Sequence, residues 1–518
     1  MRCLVPTTSS VIVPADRPTH PQNTALSLRA RGAAFAHLPG IGMLRPFRHT
    51  KIVVTLGPST ERPEQLRALI DAGVDVLRLN MAHATREWVA STVHAIREVS
   101  REATRQVAVM MDVKGPEIRT GPLAEPIELE PGDVLEFFTD TPTDGFPGVS
   151  VPVNYRHLPD DVAVGATILI DSGLIRLEIT GKDATRVRCR VLTRGTLGSR
   201  RHINLPGVEV NLPALTEKDE RDVLAGVAAG IDFFALSFVR RPDDVAALRE
   251  LLQRAGSTAR IIAKIEDQSG VRNLDAIVAE ADAVMVARGD LGIEIEYHVL
   301  PIVQRRIVDI CLAAGKPVII ATHLLESMTN APMPTRAEIS DVSNAVRERA
   351  DAVMLSGETT TGAYPLECVD VMKKIILSTE PDNTRGLNEN IELIDPKAKM
   401  LRAAAVLGQE LGHSGIVVFT RSGFLAYTLA ALRAGGVPIY AFTDDEALFR
   451  QLLLPWGVEP FLMAFSDDPE DTIQQALQYL ERRQWCRRGT CLVVITNVLA
   501  HGRVVDTLQL RRVGETPV

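Results

Sequence analysis

The 518-residue sequence predicts an α/β protein: a (β/α)8 barrel interrupted by an all-β insert and followed by an open-sheet α/β domain. Three observations carry that prediction. Eight short β-branched runs alternate with helix-period segments before residue 360, about a hundred residues separate the third run from the fourth, and a second α/β series follows residue 380.

The eight runs are Lys51 to Leu56, Asp75 to Asn80, Val107 to Asp112, Ile231 to Phe238, Arg260 to Glu266, Ala283 to Ala287, Pro317 to Ala321 and Ala352 to Ser356. Segments such as Pro63 to Ala72, Asp243 to Arg254 and Pro365 to Leu377 are apolar at helical spacing. Eight parallel strands with intervening helices close most economically as a barrel of the TIM type. The long gap exceeds what a crossover needs, so it holds an insert. Its runs, Ile127 to Glu130, Val134 to Phe138, Ala166 to Ile170, Leu174 to Ile179 and Arg186 to Leu192, alternate or are β-branched between Pro and Gly turns, as in an all-β domain. Gly115-Pro116 at the entrance and Leu205-Pro206-Gly207 at the exit read as hinges of a lid over the barrel mouth. A rigid decoration is the alternative.

After Pro381 the second series runs helix Lys397 to Leu411, strand Ile416 to Phe419, helix Phe424 to Ala434 and strand Val437 to Ala441. Helices Glu446 to Leu454 and Thr472 to Arg483 and strand Cys491 to Ile495 complete it. The expected boundaries are 47–115 with 208–380 for the barrel, 116–207 for the lid and 381–518 for the C-terminal domain. Residues 1–46 read as a disordered tail. The first fifty residues hold six arginines against one acid, Asp16, whereas the whole chain carries −8. A transit peptide would show an amphipathic repeat, which Pro14, Pro18 and Pro21 interrupt, so an extension, or translation from Met43, is the reading preferred.

Composition excludes several function classes. A balance of 57 Lys and Arg against 65 Asp and Glu, with 4 % aromatics, lacks both the attraction and the stacking platforms of a nucleic-acid binder. No window of about 18 apolar residues marks a membrane span. The 46 % hydrophobic and 24 % charged residues rule out a largely disordered chain. Six cysteines scattered without metal-ligand pairing fit a reducing compartment, so the protein reads as cytoplasmic.

The C-terminal strand ends of such a barrel form its active-site face. Here they read Arg78-Leu-Asn80, Asp112-Val-Lys114, Lys264-Ile-Glu266, Arg288-Gly-Asp290, Thr322-His323 and Ser356-Gly-Glu358. Glu266 and Asp290 are carboxylates on neighbouring strands, and hard oxygen donors in low number suit Mg²⁺, which fills its shell from water and substrate. Ion pairing with Lys264 or Arg288 is the plainer alternative. Lys264 lies on the same side of its strand as Glu266, and nearby carboxylates keep it charged, which favours an electrostatic role over a Schiff base. Arg78, Arg119 and Arg288 are forks suited to phosphate or carboxylate, or to rim salt bridges. The Gly289-Asp290-Leu-Gly292 turn offers backbone amides to an anion. With the hydroxyls of Thr322 and Ser356, these groups describe a site for a small phosphorylated, carboxylated substrate on Mg²⁺.

The strings KIVVTLGPST, VLRLNMAH, MDVKGPEIRTG, GSRRHINLPG, LPALTEKD, FALSFVR, AKIEDQSGVRN, MVARGDLGIEI, PTRAEISDVSNAV and DAVMLSGET resemble the pyruvate kinase family, collinearly from Lys51 and more weakly after residue 380. The resemblance implies a β-barrel lid, a regulatory C-terminal domain, usually a homotetramer, and phosphoryl transfer from phosphoenolpyruvate to ADP, giving pyruvate and ATP. It implies that Arg78 binds phosphoryl oxygens, that Glu266 and Asp290 hold Mg²⁺ (or Mn²⁺), and that Gly289 and Thr322 contact substrate. Lys264 would neutralise charge on the phosphoryl group and enolate. Thr322 and Ser356 would relay the enolate proton, and Asn80, His83, Arg119 and Arg201 would engage the nucleotide.

The family's K⁺ site corresponds to Asn80, Ala82, Asp112 and the carbonyl of Val113, where Ala82 lacks the usual hydroxyl and Glu117 matches K⁺ dependence. Other departures are Ser172 for an Asp, Arg200-Arg201-His202 for Lys-Lys-Gly, and His323 for Gln. The loop Thr420-Arg421-Ser422-Gly423 resembles the loop that grips a phosphorylated allosteric effector, although Phe424-Leu425 follows where hydroxyls are common, which weighs against fructose 1,6-bisphosphate; an ordinary strand-to-helix turn is the alternative. Two competing functions are a Mg²⁺-dependent pyruvate aldolase or lyase on a related barrel, and a catalytically degenerate paralogue acting as a metabolite sensor.

Overall fold

A computed structural model describes residues 47–103, 105–382, 386–412, 414–500 and 503–515; the tail expected over 1–46 lies outside them. Strands β1 (Lys51–Thr55), β2 (Val76–Asn80) and β3 (Ala108–Val113) precede the insert, which contains β4 (Ile127–Leu129), β5 (Val134–Phe138), β6 (Val149–Pro152), β7 (Thr167–Ile170), β8 (Ile175–Lys182), β9 (Arg186–Val191), β10 (Gly195–Leu197) and β11 (Ile203–Asn204). Strands β12 (Phe233–Leu236), β13 (Arg260–Ile265), β14 (Ala283–Ala287), β15 (Val318–Ala321) and β16 (Ala352–Leu355) follow. All eight expected barrel strands form, and they close in the order β1-β16-β15-β14-β13-β12-β3-β2 through parallel pairings. Most of their residues are buried on both faces, which is why they appear in the sequence as β-branched runs without alternation.

Inside the barrel, Val53, Val76, Met110, Phe233, Ile262, Met285, Ile319 and Met354 pack in layers. Leu453 and Leu454, which belong to the C-terminal part of the chain, join that same cluster. They enter at the N-terminal end of the strands, where Lys51 Nζ donates to Val458 O (2.5 Å) and Trp456 N to Asp351 Oδ1 (2.9 Å). Arg433 pairs with Asp351 in the same buried seam. The end of the barrel opposite the polar strand ends is therefore stopped with apolar side chains.

In the insert, the ladder runs β11-β7-β8-β9-β5-β6, with β10 and β4 paired separately. Antiparallel bridges from Arg119 to His202 and from Thr120 to Val153 join its two edges. Gly115 and Gly207, at the two crossings between insert and barrel, have φ of 69° and 80°, a left-handed conformation that glycine adopts without strain. The C-terminal sheet comprises β17 (Gly415–Phe419), β18 (Ile439–Thr443), β19 (Val458–Leu462), β20 (Cys491–Ala500) and β21 (Arg503–Arg512) in the order β19-β18-β17-β20-β21, parallel except for β21. Among the described residues no helix is long and apolar enough to cross a membrane.

Candidate active site

The strand ends converge on a buried ion cluster. Lys264 Nζ, near the end of β13, donates to Ser237 Oγ (2.8 Å) and Asp112 Oδ1 (3.1 Å) and pairs with Glu266 Oε1 (2.9 Å). Arg78 Nε on β2 donates to Asp112 Oδ2 (2.7 Å), and its Nη1 to Thr55 Oγ1 (3.0 Å). Glu266 is only 1 % exposed, and its Oε2 accepts the amide of Phe238 (2.6 Å). Register places Arg78 beside Met110 and Asn80 beside Asp112, so both polar side chains of β2 point the same way at the end of the barrel.

Electrostatics follow from that geometry. Burial opposes the charge on Asp112, yet Arg78 and Lys264 hold its carboxyl below the usual range. Burial likewise disfavours a charged Lys264, but Asp112 and Glu266 raise it above the ordinary lysine value, so it remains an ammonium. Glu266 goes the other way: burial pushes its carboxyl up, Lys264 opposes the rise, and Asp290 and Asp112 add to it. Asp290 is close enough to repel Glu266 despite the Lys264 ammonium, and a cation held between the two carboxylates would relieve that repulsion. Among the described residues no group of three or more His, Cys, Asp or Glu is arranged to hold a metal by itself. Two carboxylates suit an ion that completes its shell from water and substrate.

The turn after β14 and the turn after β15 are tied together. Gly289 N donates to Thr322 Oγ1 (2.7 Å), which in turn donates to Ala321 O (2.7 Å). Thr322 and His323 have φ of 66° and 55°, unfavourable for a β-branched residue above all, at a cost on the order of 1–3 kcal/mol each. Arg288 holds them there: its guanidinium donates to Thr322 O (2.7 and 3.1 Å) and His323 O (3.1 Å) and pairs with Asp341 (2.8 Å). Asp341 is aimed by a helix, Arg336–Arg347, that starts on a reciprocal Thr335–Glu338 capping box. Arg288 is therefore a buried clamp on the Thr322 turn and not a fork open to substrate. Ser356 Oγ is buried and has no hydrogen-bond partner among the described residues, while the Ser356 amide donates to Glu358 (2.7 Å).

The remaining expected residues lie around this centre. Asn80 Oδ1 accepts the amide of Ala82 (3.1 Å), and His83 is exposed. Val113, the last residue of β3, is buried between β2 and β12. In the insert, Arg119 Nε donates to Glu117 (2.6 Å) and Nη1 to Arg200 O (2.9 Å), and Arg201 pairs with Asp171 (3.2 Å). Burial alone would raise Glu117, but bonds from Arg119 and Lys114 hold it below the usual range. The loop Thr420–Gly423 is elsewhere: Arg260, the first residue of β13, reaches Ser422 O (3.5 Å), at the barrel end opposite Lys264. There Thr420 Oγ1 accepts Gly423 N (2.8 Å) and Arg421 forks onto Asp444 (2.7–3.1 Å).

Ser237, Thr55 and Phe238 take part in the site without having stood out in the sequence. Ser237 follows the fourth barrel strand, whose end carries a hydroxyl and no charge, and Phe238 contributes only its amide. The string FALSFVR was the available signal.

Two family models match the chain: "Pyruvate kinase, barrel domain" over residues 47–369 and "Pyruvate kinase, alpha/beta domain" over 398–510. The chain is 40 % identical over 480 residues to pyruvate kinase of Sporosarcina psychrophila, covering 90 % of this chain and 81 % of that one. It is 38 % identical over 477 residues to plastidial pyruvate kinase 2 of Arabidopsis thaliana, with the same coverages. A crystal structure of a pyruvate kinase from Cryptosporidium parvum superposes with a TM-score of 0.83 at 33 % identity, over 90 % of this chain and 96 % of that one.

Proposed function

The chain belongs to the pyruvate kinase family, and from that premise we propose how its own residues carry the reaction. The reaction is phosphoryl transfer from phosphoenolpyruvate to ADP, giving pyruvate and ATP. The observation that carries the assignment of roles is the buried contact set of Lys264 with Asp112, Ser237 and Glu266.

Family members generally use Mg²⁺ and K⁺. Glu266 and Asp290 would hold the divalent ion, Mg²⁺ or Mn²⁺, which when bound would supply positive charge to the negatively charged substrate. Lys264, kept cationic by two carboxylates, neutralises the negative charge that develops on the phosphoryl group and the enolate oxygen. Arg78, fixed by Asp112 and Thr55, presents its remaining donors to the phosphoryl group. Gly289 and Thr322 seat the substrate, and the strained Thr322 turn is held ready by Arg288. The hydroxyls of Thr322 and Ser356 relay a proton from water to the enolate carbon, each hydroxyl taking up a proton as it gives one; Ser356 Oγ has no hydrogen-bond partner among the described residues that would hold it away from that task. Asn80, His83, Arg119 and Arg201 engage the nucleotide, the last two from the lid.

K⁺ would lie by Asn80, Asp112 and the Val113 carbonyl, with water in place of a hydroxyl at Ala82. We keep the domain boundaries at 47–115 with 208–380, 116–207 and 381–518, a division supported by the three separate sheet systems. The loop Thr420–Gly423 is our candidate for a phosphorylated effector, which Arg421 would grip after leaving Asp444. A homotetramer is supported by large apolar side chains left exposed on the barrel, Tyr297 (84 %), Ile302 (69 %) and Met333 (71 %). A cytoplasmic location is supported by the unpaired cysteines Cys189, Cys311, Cys368, Cys486 and Cys491.

The test is a phosphoenolpyruvate saturation curve with ADP and Mg²⁺, with and without K⁺, across sugar phosphates and nucleotides, on the full chain and on Lys264→Ala. ADP-dependent turnover that Lys264→Ala lowers by about 100- to 1,000-fold is expected. Unchanged turnover in that variant, or none in the parent chain, overturns the assignment.

A further inference from the structure

One lid side chain reaches the barrel face without a role in the scheme above. His202 stands where the sequence resemblance expects glycine. Its backbone bridges Arg119, and its carbonyl accepts Asp171 N (3.2 Å), so it is fixed among the lid groups assigned to the nucleotide. Its ring leaves the lid and meets the ring of Phe238, with centroids 5.7 Å apart and planes tilted by 51°. Phe238 belongs to the barrel. Its φ of 53° is an outlier for an aromatic residue, which the surroundings must hold in place. The amide presented by that conformation donates to Glu266 Oε2 (2.6 Å). Burial pushes the His202 imidazole below its ordinary range; Glu117 and Asp290 counter that, while Arg119 and Lys114 add to it. The ring therefore packs on Phe238 as a neutral aromatic at neutral pH.

We propose that His202 is a positioning residue that couples the lid to the divalent-ion site. Its ring clamps Phe238 in the strained conformation that aims the amide at Glu266, so the lid arrangement that holds the nucleotide also fixes the carboxylate for the metal. The coupling rests on the reading of Glu266 as a metal ligand. It explains why a bulky aromatic side chain is accommodated at this lid position: the ring fills the contact between the two domains and links them.

The experiment measures half-saturating Mg²⁺ for turnover, KM for ADP, and Mn²⁺ binding by electron paramagnetic resonance, on the full chain. His202→Ala should raise half-saturating Mg²⁺ and weaken Mn²⁺ binding by about tenfold, and raise the KM for ADP, as loss of an outer support to a metal ligand does. Phe238→Leu should reproduce this, and the double variant should add little to either, because both remove one contact. His202→Phe should restore all three quantities to within about twofold, since it keeps the ring and removes the ionisable group. Unchanged Mg²⁺ and Mn²⁺ values in His202→Ala overturn the proposal. So does a His202→Phe variant as impaired as His202→Ala, which would assign the polar edge of the imidazole instead. Glu266→Gln separates the two readings: if it leaves Mn²⁺ binding intact, the ligand assignment fails, and if it weakens binding while His202→Ala does not, only the coupling fails.

Discussion

Replacing Lys264 with methionine preserves much of its bulk and removes its charge, and the structure dictates where the consequence falls. Among the described residues Asp112 keeps Arg78 and Ser237, whereas Glu266 keeps the Phe238 amide alone. One carboxylate that is 1 % exposed thus loses its cation, a change of about 3–5 kcal/mol when the carboxylate stays ionised. Glu266 is already pushed above the usual carboxylate range by burial, and removing Lys264 raises it further. A carboxyl whose folded pKa exceeds its unfolded value contributes stability that is present below the unfolded value and lost as pH rises through the folded one. The deficit of Lys264→Met against the parent chain should therefore be small near pH 4 and grow to its full size above neutrality. Denaturant unfolding in the presence of a chelator, at a series of pH values, measures it. Turnover should fall by about 100- to 1,000-fold, the effect of one preorganised charge on a developing oxyanion. A stability deficit that shrinks as pH rises would mean instead that Glu266 is compensated by something other than Lys264.

Three further predictions follow from other parts of the molecule. Leu454→Ala should destabilise the barrel by about 2–5 kcal/mol in thermal or denaturant unfolding, since Leu454 packs inside the strands; a loss confined to the C-terminal sheet would contradict this. Arg288→Met should lower kcat by about 10- to 100-fold by releasing the Thr322 turn, with intact far-ultraviolet circular dichroism, whereas a phosphate-binding Arg288 would show mainly a raised KM for phosphoenolpyruvate. Ala82→Ser restores a hydroxyl beside Asn80 and should lower the K⁺ concentration for half-maximal turnover; no change would move the K⁺ site away from this loop.

The barrel was legible because its strands are buried on both faces and their polar residues gather at one end. Elements that escaped are those with weak patterns. Strand β11 has two residues, β10 has three, and β6 carries a proline. Strand β19 contains Pro460, which reads as a breaker in sequence and is accepted because β19 is an edge strand. Strand β20 extends five residues beyond the expected Ile495, because it pairs along its whole length with β21. Most charged site residues could be named from strand ends, but their partners could not. Arg288 looked like an anion fork because sequence does not reveal that Asp341 and two strained carbonyls occupy it. Ser237 and Phe238 were silent because a single hydroxyl and a backbone amide leave no charge pattern.

The most direct test of the central claim follows the phosphoryl group by ³¹P nuclear magnetic resonance, with the full chain, phosphoenolpyruvate, ADP, Mg²⁺ and K⁺. The phosphoenolpyruvate signal should be replaced by the γ-phosphate of ATP, the exchange should stop when Mg²⁺ is chelated, and Lys264→Met should slow it in proportion to its loss of turnover. Inorganic phosphate in place of ATP, or pyruvate formed at the same rate without ADP, would contradict that claim.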